Sequence, residues 1–210
     1  MSVPPERSPE RDAALVAMLP HVARLGWTLA ALRRGLRDAG ADPQDAGLLF
    51  PGGTPSLVEA WIDLEDRQMT AALAARDLSG LRLPARVRLA VALRLELARP
   101  HRAAVRRAVS VLALPRNAGL AARSLARTVD AIWHAAGDRS ADFAWYTKRF
   151  ILAAIYTSTL LFWLRDDSPD DAATLAFLDR RLADHARFHK AQRRCSERFS
   201  RCLPGEAAAA

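Results

Sequence analysis

The stretch Val129–Pro169 decides the fold; it reads VDAIWHAAGDRSADFAWYTKRFILAAIYTSTLLFWLRDDSP and contains the longest uncharged run of the chain. From Phe150 to Leu164, fifteen residues carry no charge. A helix that spans a membrane needs about 20 apolar residues, and this run also contains four hydroxyl groups, at positions 156–159. We therefore predict a helix that is buried on all sides at the centre of an all-helical bundle.

The composition of the chain also favours an all-α protein. At 210 residues it is long enough for a substantial core. Leucine, alanine and arginine dominate, and the few β-branched residues never alternate with polar ones over the length of a strand. The net charge of +8 comes almost entirely from arginine, with Lys148 and Lys190 as the two lysines. Arginine used this way throughout a chain is weak evidence for nucleic-acid binding.

The first third of the chain has the layout of a helix-turn-helix domain. Helices are predicted over 12–25, 29–38 and 43–49, and a longer one is predicted to start at Pro55. This succession resembles the N-terminal part of tetracycline-repressor-type regulators. However, residues 38–66 contain seven acidic residues and no lysine or arginine, and phosphate contacts supply much of the affinity for DNA. We expect no DNA binding, and keep a ligand-responsive transcription regulator as the alternative.

The predicted domain organisation has four parts. Residues 1–9 are expected to form a disordered tail, 10–66 the helix-turn-helix-like subdomain, 67–203 a larger helical domain, and 204–210 a second disordered tail. Within the larger domain, the segment from position 76 to position 127 carries twelve arginines and two acidic residues. These arginines are expected either to lie solvated over apolar surface or to attract anionic membrane lipid.

No enzyme constellation is recognisable in the sequence. It contains no Glu-x-x-His pair, no glycine-rich phosphate loop and no Gly-x-Ser-x-Gly elbow. We therefore expect neither catalysis, nor a cofactor, nor a metal.

The N-terminus also lacks the apolar segment of a secretory signal. Cys195 and Cys202 lie two helical turns apart and are expected to be reduced thiols. We expect a cytoplasmic protein, with electrostatic attachment to the inner face of the cytoplasmic membrane through 193–201 as a further option.

Asp138, Asp142, Trp145, Tyr146 and Arg149 form an aromatic and charged corner before the uncharged run. Positions 142 and 146, like 145 and 149, are four residues apart and therefore share one helix surface. Trp, Tyr and Arg are the residue types that dominate binding hot spots. The corner is predicted to be a partner-binding patch, or alternatively a capped helix start with two half-buried aromatic rings.

Several motifs resemble one known family. Gly137–Arg149 reads GDRSADFAWYTKR, Ile155–Thr159 reads IYTST, and Asp167–Arg180 has the pattern D-S-x-D…FL-x-R. Three earlier segments match as well, namely LFPGG at 49–53, RLELARP at 94–100 and LALPRN at 112–117. Over 26–181 the chain is therefore similar to the COQ9 family of ubiquinone-biosynthesis proteins.

The resemblance implies a repressor-like fold that does not act on DNA. It implies a carrier that holds an isoprenoid quinone intermediate or a phospholipid and presents the quinone precursor to the di-iron hydroxylase COQ7, which does the chemistry. A homodimer through the last two long helices is expected. The partner-binding residues would be Ile132, Asp142, Trp145, Tyr146 and Arg149. The lipid-binding residues would be Val91, Leu95, Trp133, Leu152, Ile155, Tyr156 and Leu160.

Overall fold

The chain folds into nine helices over the residues that the computed structural model describes, 4–138, 144–185 and 187. The helices are α1 (Pro9–Leu25), α2 (Leu29–Asp38), α3 (Ala46–Leu49), α4 (Gly53–Ala74), α5 (Leu83–Ala98), α6 (Arg102–Leu112), α7 (Ala118–Ala135), α8 (Ala144–Trp163) and α9 (172–185). This described part contains no strand, which confirms the predicted all-α class. The two cysteines, the basic segment 193–201 and the tail 204–210 lie outside it, as do the side chains of residues 144 and 145.

Local sequence signals set the ends of the first two helices. The Ser8 side chain accepts a hydrogen bond from the Arg11 amide at 3.2 Å, so α1 begins at position 9. Gly26 then ends α1 with a φ of 70°, a conformation that favours glycine. The Thr28 hydroxyl accepts from the Ala31 amide at 3.2 Å and caps α2, which begins at position 29 as predicted. Within the predicted tail, Arg7 pairs with the buried Asp63 at 2.6 Å.

The first three helices and the start of α4 form a tightly filled core. Trp27 is fully buried, and its Nε1 donates to the Ala104 carbonyl at 3.0 Å. Its ring centroid lies 4.9 Å from that of Trp61. A Cβ added to Gly35 on α2 would lie 2.5 Å from the Ala17 carbonyl oxygen on α1, so these two helices are in backbone contact.

Helix α3 occupies the position of the recognition helix of a helix-turn-helix domain, but it is only a single turn long. Helix α4 runs without a break past the predicted domain boundary at 66. The helix-turn-helix-like part and the larger helical part therefore share this one long helix.

Ion pairs within the chain engage much of the arginine-rich middle third. Arg88 on α5 holds Asp179 on α9 with two bonds of 2.6 and 3.0 Å. Arg123 and Arg127 on α7 both bind Glu59 on α4, at 2.9 and 2.8 Å. Each exposed pair adds only about 0–1 kcal/mol, but together they fix which helices face each other.

Helix α9 begins at 172, directly after a single 3-10 turn, Pro169–Asp171, whose N-cap residue is Ser168. Asp170 and Asp171 have φ values of 52° and 56°, in the left-handed region that interrupts a right-handed helix. Two side chains cap the start of α9. The Ser168 hydroxyl accepts from the Ala173 amide at 3.0 Å, and the Asp166 carboxylate accepts from the Thr174 amide at 2.7 Å and the Ser168 amide at 2.9 Å. Burial opposes ionisation of Asp166, but these bonds hold its pKa well below the usual range.

The uncharged run lies on α8, which packs on α7 and α5. It is not buried on all sides as predicted, because one stripe of the helix faces outward. Tyr146 is 70% exposed, Phe150 78% and Leu161 48%. These residues leave an apolar face open where the sequence predicted an enclosed helix. Among the described helices, none has both the length and the apolar character needed to cross a bilayer.

A candidate ligand cavity with a charged inner end

An apolar cavity of about 350 Å³ lies between α4, α5, α6, α7 and α8. Ligand pockets in proteins typically measure about 300–1,000 Å³. The cavity is lined by Trp61, Ile62, Glu65, Arg94, Leu95, Ala98, Val105, Ala108, Val109, Leu112, Ala113, Ala121, Ser124, Leu125, Thr128, Tyr156, Thr157, Leu160 and Leu161. Most of these side chains are aliphatic, so the site is suited to a hydrocarbon chain.

The cavity exists because small residues face each other across the helix interface. Ala98 on α5, Ala108 on α6, and Ala121 and Ser124 on α7 all line it. Side chains this short leave space where leucine would fill it, because helix axes cannot approach closer than their bulkier contacts allow. The cavity thus follows from the short side chains on three neighbouring helices.

The two ends of the cavity differ in exposure. Ala113 and Leu161 are exposed and mark the mouth, at the end of α6 and along α8. Glu65, Arg94 and Tyr156 are buried and mark the inner end. The cavity therefore leads from an apolar opening to a charged interior.

An ion-pair cluster occupies that inner end. The Arg94 guanidinium donates from Nε to Asp66 Oδ1 at 2.8 Å and from Nη1 to Glu65 Oε2. The Thr128 hydroxyl donates to the other Asp66 oxygen at 2.8 Å. Buried charges persist in proteins only when they are paired and hydrogen-bonded, as Arg94 and Asp66 are here. The cluster links α4, α5 and α7 below the cavity.

Burial shifts the ionisation of these groups. It raises the pKa of Glu65 to about 7, against the opposing attraction of Arg94. Burial also raises the pKa of Asp66 and that of Tyr156, to about 12. Burial lowers the pKa of Arg94, but the attraction of the facing carboxylates is stronger and raises that pKa overall. At neutral pH, Arg94 is charged and Tyr156 is protonated, and Glu65 binds its proton more tightly than an exposed glutamate does.

Three of the seven predicted lipid-binding residues, Leu95, Tyr156 and Leu160, line the cavity together. Val91, Leu152 and Ile155 are buried in the surrounding core and are not among the residues that line this cavity. Trp133 is half-buried outside the cavity, with the Lys148 ammonium 5.8 Å from its ring centroid.

The sequence reasoning missed the contributions of α6 and of the first half of α7. Val105, Ala108, Val109 and Leu112 on α6 recur at helical spacing and line the cavity. This spacing indicates that the face of α6 that carries them points inward. Its small residues were the signal that it would not fill the interior.

The predicted partner-binding patch is described only in part. Asp142 and the side chain of Trp145 lie outside the described residues. Tyr146 faces outward, and Arg149 forms an ion pair with Asp130. Ile132 has no exposed surface, so its placement in the patch is corrected to a core position. The exposed Phe150, one turn beyond Tyr146, extends the apolar surface instead.

The fold and the cavity define an all-helical, repressor-like protein that encloses a site suited to an apolar ligand. The crystal structure of a TetR transcriptional regulator from Nitrosomonas europaea superposes with a TM-score of 0.69. The superposition covers 85% of this chain and 99% of that one, at 23% sequence identity. At this identity the similarity concerns the fold alone.

Sequence comparison identifies the family. The COQ9 family model matches residues 118–189. The chain is 34% identical over 172 residues to the probable ubiquinone biosynthesis protein coq9, mitochondrial, of Dictyostelium discoideum. It is also 34% identical over 178 residues to ubiquinone biosynthesis protein COQ9, mitochondrial, of Homo sapiens. The chain belongs to the COQ9 family.

The two alignments cover 79% and 81% of this chain, respectively. The chain spans about 56% of the length of the Dictyostelium protein and 55% of the human one. Both relatives are therefore longer than the chain described here.

Proposed function

We propose that this protein is a non-enzymatic, lipid-binding accessory factor of ubiquinone biosynthesis. It binds an isoprenoid quinone intermediate, or a phospholipid of similar chain, in the cavity and presents the intermediate to a COQ7-type di-iron hydroxylase. The observation that carries the proposal is an apolar cavity of about 350 Å³ in a chain whose relatives are named ubiquinone biosynthesis proteins.

The energetics of the cavity support a hydrocarbon ligand. Each CH₂ group moved from water into an apolar site contributes about 0.8 kcal/mol, and an isoprenoid offers five carbons per unit. Aliphatic side chains of all five helices would make most of the contacts, because they form most of the wall. This surface would be poorly hydrated when empty, which favours binding further.

Lipid content can be tested with a cavity-filling variant and a matched control. Ala108 lines the cavity on α6, whereas Ala103 is exposed on the same helix. In native mass spectrometry the wild-type protein is expected to carry a co-purifying isoprenoid or phospholipid. Ala108→Phe is expected to lose it because the ring fills the site, and Ala103→Phe is expected to retain it. Wild-type protein that is empty and has no affinity for quinone precursors would contradict the proposal.

For the encounter with the hydroxylase, the exposed Tyr146 supports a contact surface at the start of α8. Tyr146→Ala is expected to weaken binding of the hydroxylase in a pull-down about fivefold or more, because exposed aromatic anchors often contribute over 1 kcal/mol. Val16→Ala removes another exposed apolar side chain, on α1, and serves as the control. Equal losses for both variants would remove the assigned role from Tyr146.

The alternatives make different predictions. A transcription regulator would produce sequence-selective, salt-sensitive gel shifts, which the absence of Lys and Arg over 38–66 makes unfavourable. An enzyme would turn over a demethoxyquinone without any partner. Homodimer formation and attachment to a membrane surface stay predictions, to be measured by sedimentation and by flotation with anionic vesicles.

A further inference from the structure

A second, polar cleft of about 740 Å³ lies behind the ion-pair cluster. Asp66 lines this cleft, whereas its hydrogen-bond partners Arg94 and Thr128 line the apolar cavity. The cleft and the cavity have no lining residue in common. The cleft is therefore a separate space, which the proposed function does not use.

Four arginines reach the cleft from different parts of the chain. Its wall, built by the segment before α1 and by α4, α7 and α8, consists of Pro4, Arg7, Asp63, Asp66, Arg67, Thr70, Ala71, Ala74, Arg127, Asp130, Ala131, His134 and Arg149. The arginines come from all four of these elements, while small side chains of α4 and α7 cover part of the surface between them. A concentration of guanidinium groups around one cleft is typical of a site for an oxyanion.

The chain does not use all the hydrogen-bond donors of these arginines. Both oxygens of Asp63 are engaged, by Arg7 at 2.6 and 2.9 Å and by Arg67 at 3.1 Å. Both oxygens of Asp66 are engaged within the ion-pair cluster. By contrast, Arg7 donates from Nε and Nη2, and its Nη1 has no acceptor among the described residues. A guanidinium carries five N–H donors, so Arg7 keeps some for a ligand.

Arg127 has a similar surplus deeper in the wall. Its Nη2 donates to Glu59 Oε1 at 2.8 Å and to Ser124 Oγ at 3.3 Å. Its Nη1 is buried, yet it has no hydrogen-bond partner in the part of the chain that the structure describes. A buried donor without an acceptor costs free energy, and such a group commonly marks a bound water or ion. The wall therefore lacks an acceptor beside Arg127.

A phosphate group matches this surplus of donors. Its three terminal oxygens can accept from guanidinium groups that arrive from different directions, whereas a carboxylate offers two oxygens in one plane. Three aspartates of the wall offset three of its four arginines, so directed hydrogen bonds contribute more to affinity than net charge does. The volume of about 740 Å³ also leaves room for an organic group beside the phosphate.

We propose that this cleft binds the phosphate group of a small phosphorylated metabolite. Arg127 is the buried donor, and Arg7, whose side chain is about half exposed, is the donor at the rim. The organic part of the ligand lies over Ala71, Ala74 and Ala131. This inference goes beyond the proposed function and does not depend on a lipid in the apolar cavity.

Isothermal titration calorimetry with phenyl phosphate and with benzoate tests the proposal. Both probes carry one aromatic ring and differ in the anionic group. In about 0.15 M salt the general attraction of anions to the basic chain is screened. The wild-type protein is expected to bind phenyl phosphate about tenfold or more tightly than benzoate, the effect of one further charge-assisted hydrogen bond.

Two arginines that share Glu59 provide a matched pair of variants. Arg127→Met removes a donor of the cleft and is expected to weaken binding of phenyl phosphate about tenfold or more. Arg123→Met removes the other partner of Glu59, which is absent from the cleft wall, and is expected to bind as the wild type does. Each variant leaves Glu59 with one arginine, and circular dichroism checks that the helices are intact.

Arg7→Met gives a second measurement that does not depend on the folding of Arg127→Met. Asp63 keeps its bond with Arg67 in this variant, and binding of phenyl phosphate is expected to weaken at least threefold. Ala108→Phe, which fills the apolar cavity, is expected to bind phenyl phosphate normally.

Three results would overturn the phosphate site while the proposed lipid cavity stands. They are a wild-type protein that does not bind phenyl phosphate, equal affinities for phenyl phosphate and benzoate, and equal weakening by Arg123→Met and Arg127→Met. The last result would mean that the chain attracts anions only through its overall charge. Loss of lipid from the wild-type protein together with normal phosphate binding would instead overturn the proposed function alone.

Discussion

The filled core around Trp27 and the hollow region beside Arg94 are built from the same leucine- and alanine-rich sequence, yet they differ in what occupies the interior. Around Trp27, large side chains and the backbone contact at Gly35 leave no room for another methyl group. Beside Arg94, facing alanines leave about 350 Å³ open, and charges close its inner end. Space for a ligand therefore depends on where small residues face each other and not on overall hydrophobicity.

The largest effect is expected from removing the cation of the hollow region. Arg94→Met would leave Glu65 and Asp66 buried without a cation beside them, which costs about 3–5 kcal/mol. Arg123→Met breaks a more exposed pair with Glu59 and should cost no more than about 1 kcal/mol. Urea denaturation measures both. Equal losses of stability in the two variants would show that the buried ion pairs of Arg94 contribute no more than an exposed pair does.

The next effect is the pH dependence of stability that Glu65 introduces. Its pKa of about 7 in the folded chain lies above the value of about 4.3 in an unfolded chain. The folded state thus holds the proton more tightly, so the contribution is full below pH 4 and is lost as the pH rises to 7. At about 1.4 kcal/mol per pKa unit, the full change is roughly 4 kcal/mol.

The comparison with Glu65→Gln isolates this contribution, because glutamine does not titrate. The unfolding free energies of both proteins are measured at pH 4.5, 6 and 7.5. The stability of the wild type relative to Glu65→Gln should fall by most of that amount as the pH rises. A constant difference between the two proteins would show that Glu65 ionises normally in the folded chain. It would also place more water at the inner end than its burial indicates.

The smallest effects come from adding carbon atoms to each region. Gly35→Ala is expected to cost about 1–3 kcal/mol, because the new methyl group meets the α1 backbone, although alanine favours a helix by about 1 kcal/mol. Ala108→Leu adds three carbons but should change stability by less than about 1 kcal/mol, because they enter the cavity. Thermal unfolding of the two variants measures both changes in stability. A greater loss for Ala108→Leu would mean that the cavity collapses in solution.

Much of the fold could be predicted from the sequence because its signals are local. Thr28 and Gly26 set helix ends through their own backbone and side-chain chemistry. The left-handed backbone of Asp170 and Asp171 just before α9 could not be read in this way, because Asp171 binds Arg99, 72 residues earlier in the chain. Local signals do not reveal a contact between such distant residues.

The site was predictable to a smaller degree. The motif resemblance led to Tyr156 and Leu160, and both line the cavity. The ion pairs of Arg94 with two acidic neighbours on α4 were not foreseen, because no periodic pattern signals which charges will be buried together. The buried position of Ile132 could not be predicted either, since a residue near a surface motif can still point into the core.

The contact of Trp27 with Trp61 has a practical consequence. Trp61 lies against Trp27 in the filled core and also forms part of the cavity wall. Indole emission responds to the polarity around the ring, so entry of a hydrocarbon beside Trp61 should shift the fluorescence of this pair. The chain thus contains an optical reporter of its own occupancy, one that needs no label.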